Sequence, residues 1–154
     1  MLGAVGISTL ALIVGAEAAE DNKVYSAAFC KGRDAGDDFI FQQGALVAQG
    51  AGTYACPLIR DNVGDADDLR EVFVELFHAT STSTTCTLST QVEDVAADVL
   101  DQEVQRVPAT GSAPGFHQIT FGALETADDN EGGYSLSCNL NSGTALRQIT
   151  VRED

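Results

Sequence analysis

The chain is poor in basic residues, in tryptophan and in long apolar segments. It contains 8 Lys and Arg against 23 Asp and Glu, which gives a formal net charge of −15 at pH 7. A field of this sign repels phosphate backbones and anionic lipids, so the composition argues against nucleic-acid binding. No uncharged apolar run reaches the roughly 20 residues that a membrane-spanning helix needs. We therefore expect no stable membrane insertion of the mature protein.

The motifs of several enzyme classes are also missing. No two cysteines are closer than 26 residues, which excludes the paired ligand spacing of structural zinc sites. The G-x-S-x-G elbow of α/β-hydrolases does not occur, and His78 and His117 have no recognisable set of catalytic partners. Acidic pairs such as Asp37-Asp38 are neighbours in sequence, whereas a glycosidase needs two carboxyl groups facing each other across a cleft. We predict that the protein is not an enzyme and that both histidines are structural and hydrogen-bonded.

The first residues have the features of an export signal. Residues 2–15 are uncharged and largely apolar, Ala16-Glu17-Ala18 follows as a small-x-small cleavage pattern, and the chain then becomes polar. This arrangement predicts a signal peptide at 1–18 and a single mature domain at 19–154 that is secreted or periplasmic. An uncleaved anchor and a filament-type assembly helix are the alternatives, but both require a longer apolar helix.

Four cysteines remain in the predicted mature chain, and an even number in an exported protein predicts disulfide bonds. Apolar residues alternate with Ser and Thr around Cys86 and around Cys138, which is the pattern of half-buried antiparallel strands. Both thiols then point to the core, and we pair Cys86 with Cys138. That leaves Cys30 with Cys56, a bond that would hold the N-terminal segment. We expect the bridges to clamp two layers of β-sheet together, each contributing about 3–4 kcal/mol on chain-entropy grounds.

Short alternating segments separated by turn residues continue along the chain. Leu69–His78 is the strongest strand prediction. Val99–Val107, after a turn at Glu93–Asp98, is also assigned as a strand, although its apolar spacing suits a helix as well. Asn141-Ser142-Gly143 predicts a tight hairpin turn before the last strand. About eight such strands predict an all-β fold, an antiparallel two-sheet β-sandwich of the jelly-roll or immunoglobulin-like type with two disulfides.

The order of the cysteine motifs resembles that of a group of known proteins. A cysteine soon after the leader is followed by Cys-Pro-Leu-Ile-Arg-Asp-Asn at 56–62, Thr-Cys-Thr-Leu at 85–88 and Gly-Tyr-Ser-Leu-Ser-Cys-Asn-Leu at 133–140. In this order the chain resembles small exported bacterial proteins that have four cysteines, a β-sandwich and no assigned function. The resemblance implies the fold and two bridges, and it supplies no catalytic residues.

One predicted strand is apolar on both sides. In Leu69–His78, the side chains of Phe73 and Phe77 share a face with those of Glu71 and Glu75. Such a strand is either central in the sandwich, with loops covering its outer face, or its outer face meets a partner. We therefore predict a structural or interaction module with an unknown protein or glycan partner. Carbohydrate binding is the alternative, although the chain has no tryptophan to form an aromatic platform.

Calcium is the metal that the acidic loops would suit best. Asp61, Asp65, Asp67 and Asp68 place hard carboxylate oxygens within one loop. The loop departs from the EF-hand pattern, because Val63 occupies the position of the third residue, which is a ligand in that motif. We expect no cofactor unless this loop binds Ca²⁺, in which case the protein is a calcium-binding module.

Overall fold

The fold is built almost entirely from β-strands. A computed structural model describes residues 21–59, 69–94, 99–108, 113–122 and 133–153. A single 3₁₀ turn, η1, covers Ala27–Phe29, and no helix in the described part is long and apolar enough to cross a membrane. The described residues form eleven strands: β1 (Asp21–Ser26), β2 (Lys31–Gly32), β3 (Phe39–Gln42), β4 (Ala45–Ala48), β5 (Gly52–Leu58), β6 (Leu69–His78), β7 (Thr85–Asp94), β8 (Val99–Pro108), β9 (Gly115–Phe121), β10 (Gly133–Leu140) and β11 (Thr144–Glu153).

The strands make two antiparallel sheets in the order of a jelly roll. Sheet A has the order β3-β4-β11-β6-β9, with β1 also paired to β11, and sheet B has the order β2-β5-β10-β7-β8. The eight strands from β4 to β11 therefore form two Greek keys, and β1 to β3 extend their edges. This confirms the predicted two-sheet sandwich. It also selects the jelly roll, since an immunoglobulin sandwich pairs its first two strands within one sheet.

The two sheets bury one shared hydrophobic core. Along β6 of sheet A, the side chains of Val72, Val74 and Leu76 are buried while the intervening residues are partly exposed. Sheet B contributes Leu88 of β7 and Leu136 of β10, which lie opposite each other in the register. Burying an aliphatic side chain of this size stabilises the fold by about 1.5–3 kcal/mol. The period of two in the sequence thus becomes an inner apolar face on each sheet.

Both disulfides belong to sheet B. Cys86 of β7 and Cys138 of β10 are directly opposite in the register, with their Cα atoms 4.0 Å apart. Cys30, just before β2, is bonded to Cys56 of β5 across a Cα distance of 4.1 Å. These are the pairs that the alternation predicts, but the expectation that they clamp the two layers together is wrong. Each bridge connects adjacent segments of one sheet, so burial of the shared apolar core holds the layers together.

The N-terminal segment crosses from sheet A to sheet B through η1. β1 pairs along its length with β11, and the side chain of Ser26 then caps η1 by accepting a hydrogen bond from the backbone N–H of Ala28. The Cys30–Cys56 bridge follows directly, closing a loop of 26 residues. The bridge therefore fixes the point at which the chain changes sheets, which agrees with its predicted role in holding the N-terminal segment.

The ambiguous segment before Pro108 is a strand. β7 and β8 pair in antiparallel register from Thr85↔Pro108 to Asp94↔Val99, so the helical spacing of its valines is outweighed by pairing within sheet B. The prediction that a turn begins at Glu93 is wrong, because Glu93 and Asp94 still belong to β7. The rest of that predicted turn lies outside the described residues.

The turn before the last strand has the predicted local geometry but not the predicted role. The N–H of Thr144 donates to the carbonyl oxygen of Asn141 at 3.0 Å, and Gly143 has a φ of 79°, a conformation that favours glycine. The flanking strands nevertheless diverge, because β10 enters sheet B and β11 enters sheet A. The prediction of a hairpin is therefore wrong, and the turn instead joins the two layers.

Candidate functional site

A row of apolar side chains crosses the outer face of sheet A from one edge to the other. In the three inner strands of the row each member lies between two buried residues, so the alternation that fills the core also sets these side chains on the outside. In register order, the row consists of Phe116 in β9, Phe77 in β6, Ala145 in β11, Val47 in β4 and Ile40 in β3.

Phe116 is the most exposed ring of this row. Its side chain is 70% exposed, although its ring centroid lies 5.1 Å from that of Phe77 at an interplanar angle of 60°. The guanidinium carbon of Arg147 lies 5.0 Å from the Phe116 centroid, within the range of a cation–π contact. The ring is thus held by two neighbours while most of its surface faces water.

Arg147 reaches this face because β11 contains a bulge. Leu146 pairs with Leu76 and Gln148 pairs with Glu75, so Arg147 is an extra residue with no opposite number in β6. A bulge places two consecutive residues of one strand opposite a single residue of the other and re-aims a side chain. Arg147 is accordingly exposed beside Phe116, while Leu146 is fully buried.

These side chains form a groove with a volume of about 440 Å³. One end is made by the turn between β3 and β4, in which Gln43 has a φ of 52° and Gly44 a φ of 79°. Positive φ at both central residues is the signature of a type I′ hairpin turn, and it costs energy at Gln43 because that residue has a Cβ. We call this site the aromatic groove, lined by Gln43, Val47, Phe77, Phe116, Ala145 and Arg147.

A polar recess adjoins the aromatic groove on the other side of Phe116. It has a volume of about 350 Å³ and is lined by Glu75, Phe116 and Gln118, among others. Gln118 and Gln148 flank Glu75 in the register, and Gln148 Nε2 donates to Thr150 Oγ1 at 3.3 Å. Carboxylate oxygens and side-chain amides therefore stand next to an exposed ring, which is a combination able to contact both apolar and hydroxylated parts of a ligand.

At the other end of the same sheet face, an arginine already contacts both an aromatic ring and a carboxylate of the protein. Arg152 lies over Phe73, with its guanidinium carbon 4.7 Å from the ring centroid. Its Nη1 donates to Glu71 Oε2 at 3.2 Å, so this guanidinium is engaged by a carboxylate. Phe73 and Phe77 do share the outer face of a central strand, as predicted, but the open groove lies at Phe77.

The outer face of sheet B is chemically different. On β5, β7 and β10 the described outward side chains are small and uncharged, and Thr53 Oγ1 donates to Asn139 Oδ1 at 2.8 Å across the strands. A shallow polar depression lies at this end of the face. The outward residues of these three strands are Thr53, Ala55, Pro57, Thr85, Thr87, Ser89, Ser135, Ser137 and Asn139.

The two histidines meet on the inner face of sheet A. Their ring centroids are 4.4 Å apart with an interplanar angle of 36°. His78 is fully buried, with Nε2 3.0 Å from Thr84 Oγ1, and His117 Nε2 donates to the carbonyl oxygen of Ala113 at 2.7 Å. Burial, together with the charge of His117, lowers the pKa of His78 below its ordinary value. Both are hydrogen-bonded, as predicted, whereas nothing in the sequence indicated that the two rings are in contact.

The predicted calcium ligands cannot be placed in this description. Asp61, Asp65, Asp67 and Asp68 lie outside the described residues, so the calcium site stays a prediction. Within the described ranges, no group of three or more His, Cys, Asp or Glu side chains is arranged to hold a metal ion.

Sequence reasoning missed two central residues of the groove, Phe116 and Arg147. Phe116 could have been found, because Ile119 and Phe121 share one face of an alternating segment and Phe116 falls on the opposite face. Arg147 could not, because its direction depends on a bulge that interrupts the alternation.

Comparisons with known proteins give weak structural similarities. No family model and no curated protein matches the chain. Among solved structures, a low-affinity xylan-binding module of family CBM86 from Roseburia intestinalis is 12% identical, with a TM-score of 0.49 over 87% of this chain and 96% of that one.

Two further similar structures are longer proteins. An exo-β-1,3-galactanase from Phanerochaete chrysosporium is 16% identical with a TM-score of 0.49, over 85% of this chain and 29% of the galactanase. A GH26-CBM35 β-(1,4)-mannanase from Podospora anserina is 10% identical with a TM-score of 0.44, over 86% of this chain and 28% of the mannanase. At these values the similarities carry no argument about function, which is therefore argued from the groove itself.

Proposed function

We propose that the protein is a non-catalytic carbohydrate-binding module and that its glycan lies in the aromatic groove. The observation that carries this proposal is Phe116, a ring 70% exposed to solvent within a groove of about 440 Å³. Single exposed apolar side chains are ordinary, whereas a contiguous row of them in a groove is typical of a ligand-binding surface. The groove also combines an apolar floor with a few polar groups, which is typical of small-molecule sites.

The chemistry of a sugar ring fits this combination. A pyranose has a face of C–H groups and an edge of hydroxyl groups. The negative face of an aromatic ring attracts such weakly positive C–H groups, so the sugar would stack on Phe116. The hydroxyl edge would then meet Gln43 and Arg147 on one side and Glu75 and Gln118 on the other, where amides, guanidinium and carboxylate supply both donors and acceptors.

Binding without catalysis is the better-supported activity of this site. Among the described residues that line the groove and its polar recess, Glu75 is the one carboxylate, whereas glycoside hydrolysis uses two across the scissile bond. The two histidines lie on the inner face of the sheet and bond to Thr84 and the Ala113 carbonyl. His78 is fully buried, and His117, which lines the recess but not the groove, has its Nε2 bonded to that carbonyl oxygen.

An extracellular or periplasmic location accords with the same proposal. Disulfide bonds persist in oxidising compartments, and both bridges of this protein close sizeable loops in sheet B. The apolar leader at 1–18 would direct the chain there. Glycans of cell walls and extracellular matrices would then be its accessible ligands.

Affinity electrophoresis tests the function directly. The wild-type protein, Phe116→Ala and Thr120→Ala would be run in native gels containing xylan, mannan, β-1,3-galactan or polygalacturonate. Thr120 is an exposed residue of the same strand and serves as the matched control. We expect at least one polysaccharide to retard the wild type and Thr120→Ala but not Phe116→Ala. Equal mobility in all gels, or undiminished retardation of Phe116→Ala, would contradict the proposal.

Calcium binding by the loop that contains Asp61, Asp65, Asp67 and Asp68 remains a separate proposal. Its support is the number of carboxylates within one short segment. Isothermal titration with CaCl₂ should give a saturable heat and a higher melting temperature. No heat and an unchanged melting temperature would remove calcium from the account and leave the glycan proposal intact.

A further inference from the structure

We propose that Arg147 makes the aromatic groove selective for glycans that carry a carboxylate, the uronic acids. The inference rests on the proposed glycan-binding function and assigns a ligand class to the same site. Its starting point is that the bulge in β11 brings a guanidinium into the groove, over the exposed ring of Phe116.

The guanidinium of Arg147 has no carboxylate partner among the described residues. Two other cations of the described part form ion pairs, Lys23 with Glu153 and Arg152 with Glu71. The formal net charge of −15 repels an anionic ligand at long range, so the proposed contact is a short-range one between Arg147 and one ligand carboxylate, at ionic strengths that screen the wider field. A basic side chain left without an acidic neighbour, inside a groove, is therefore available for an anion from outside.

Arg152 provides an internal comparison on the same sheet face. Both arginines of β11 stack on a phenylalanine, at 5.0 Å for Arg147 and 4.7 Å for Arg152. Stacking uses the flat face of the guanidinium and leaves its N–H edges free to donate. Glu71 of the protein accepts from the edge of Arg152. We infer that a ligand carboxylate occupies the corresponding position at Arg147.

The geometry of the group favours a carboxylate over a hydroxyl. A guanidinium presents N–H donors in a planar fork that matches the two oxygens of a carboxylate, and such charge-assisted bonds are roughly twice as strong as neutral ones. The sugar ring would stack on Phe116 while its carboxylate meets Arg147. Glu75 lies in the recess on the other side of Phe116, so its repulsion directs the carboxylate towards the Arg147 side.

The test compares two ligands that differ in charge and scarcely in size. Trigalacturonate and its fully methyl-esterified form would be titrated calorimetrically into the wild type, Arg147→Met, Arg147→Lys and Arg152→Met. We expect the wild type to bind the free acid about tenfold more tightly than the ester, which corresponds to one charged hydrogen-bonding contact. Arg147→Met should bind both ligands equally, and Arg147→Lys should retain part of the preference. Arg152→Met, the matched control, should keep the full preference.

The outcomes separate this inference from the function beneath it. Equal affinity of the wild type for acid and ester, with binding lost in Phe116→Ala, would overturn the role of Arg147 and leave carbohydrate binding standing. A preference that survives in Arg147→Met would also overturn it. Absence of binding to both ligands and to all four polysaccharides would overturn the function itself. Arg147 is exposed, so we expect its substitution to leave the fold intact. Melting curves of each variant check that expectation.

Discussion

The outer faces of the two sheets follow the same alternation and yet carry opposite chemistry. Sheet B presents small, uncharged side chains on β5, β7 and β10 and contains both disulfides. Sheet A contains neither bridge and presents exposed aromatic rings with arginine, glutamine and glutamate beside them. Under the proposed function this difference corresponds to a division of labour, in which sheet B is the cross-linked support and sheet A would be the recognition surface. Short side chains on a flat sheet cannot form a groove, whereas a bulge and a strained turn can.

Removing a bridge of sheet B should have the largest effect on stability. The double variant Cys86→Ala/Cys138→Ala opens a 52-residue loop, and we expect a loss of about 4 kcal/mol in the free energy of unfolding. The matched variant Cys30→Ala/Cys56→Ala opens a 26-residue loop and should lose about 3 kcal/mol. Urea unfolding measures both losses.

The same variants test whether sheet B contributes to the shape of the groove. Where each remains folded, its glycan affinity should equal that of the wild type, because no cysteine lines the aromatic groove. A folded variant that has lost most of its affinity would show that sheet B shapes the groove, and the proposed division would be incorrect.

The histidine pair should make the free energy of unfolding depend on pH, with an effect smaller than that of removing a bridge and larger than that of changing the turn. Burial and the neighbouring His117 lower the pKa of His78 in the folded state, while the unfolded chain keeps a value of about 6.5. As the pH falls below that value, the unfolded state takes up a proton first, so the free energy of unfolding decreases. This stabilisation is fully present above the unfolded pKa and is lost towards acid pH.

The variant His78→Gln isolates that effect. We expect its urea midpoint to change less between pH 7.5 and pH 5.5 than the midpoint of the wild type does. His117→Gln, at the half-buried partner ring, is the companion variant. An identical pH dependence in the wild type and in His78→Gln would assign the effect to other groups.

The smallest effect is expected at the turn that forms one end of the groove. Gln43 has a φ of 52°, a region that Asn tolerates better than Gln. Gln43→Asn should raise the free energy of unfolding by about 0.5–1 kcal/mol while weakening glycan binding, because its amide is one carbon further from the groove. Greater stability with unchanged affinity would place Gln43 outside the binding site. Gly44 serves as the control position, since its Ala variant should only destabilise.

Period-two alternation was enough to predict the strands and the cysteine pairs, but not the assignment of strands to sheets. Cys86 and Cys138 both point inward, and that is equally true of a bridge between layers and of one between neighbouring strands. Only the hydrogen-bond register decides, and it depends on contacts between segments that are distant in sequence. The turn at Asn141–Gly143 has the same ambiguity, because its local geometry does not specify whether the flanking strands pair or separate.

The groove was harder to predict than the core for a related reason. Its residues come from five strands and the turns between them, and no short motif contains them. Phe77 was visible as an apolar residue on a polar face. The direction of the Arg147 side chain depends on a bulge. The edge strand β1 is mostly polar, and its formation depends on its pairing with β11. Long-range packing decided each of these features.

The central claim is most directly tested by mapping a glycan onto the two faces by NMR. The ¹⁵N-labelled protein would be titrated with trigalacturonate and, separately, with xylotetraose, and the backbone amide shifts would be followed. The account predicts saturable shift changes for Phe77, Phe116 and Arg147, with the amides of Thr87 and Ser137 unchanged. Changes centred on Thr87 and Ser137, or the absence of any change with both oligosaccharides, would contradict it.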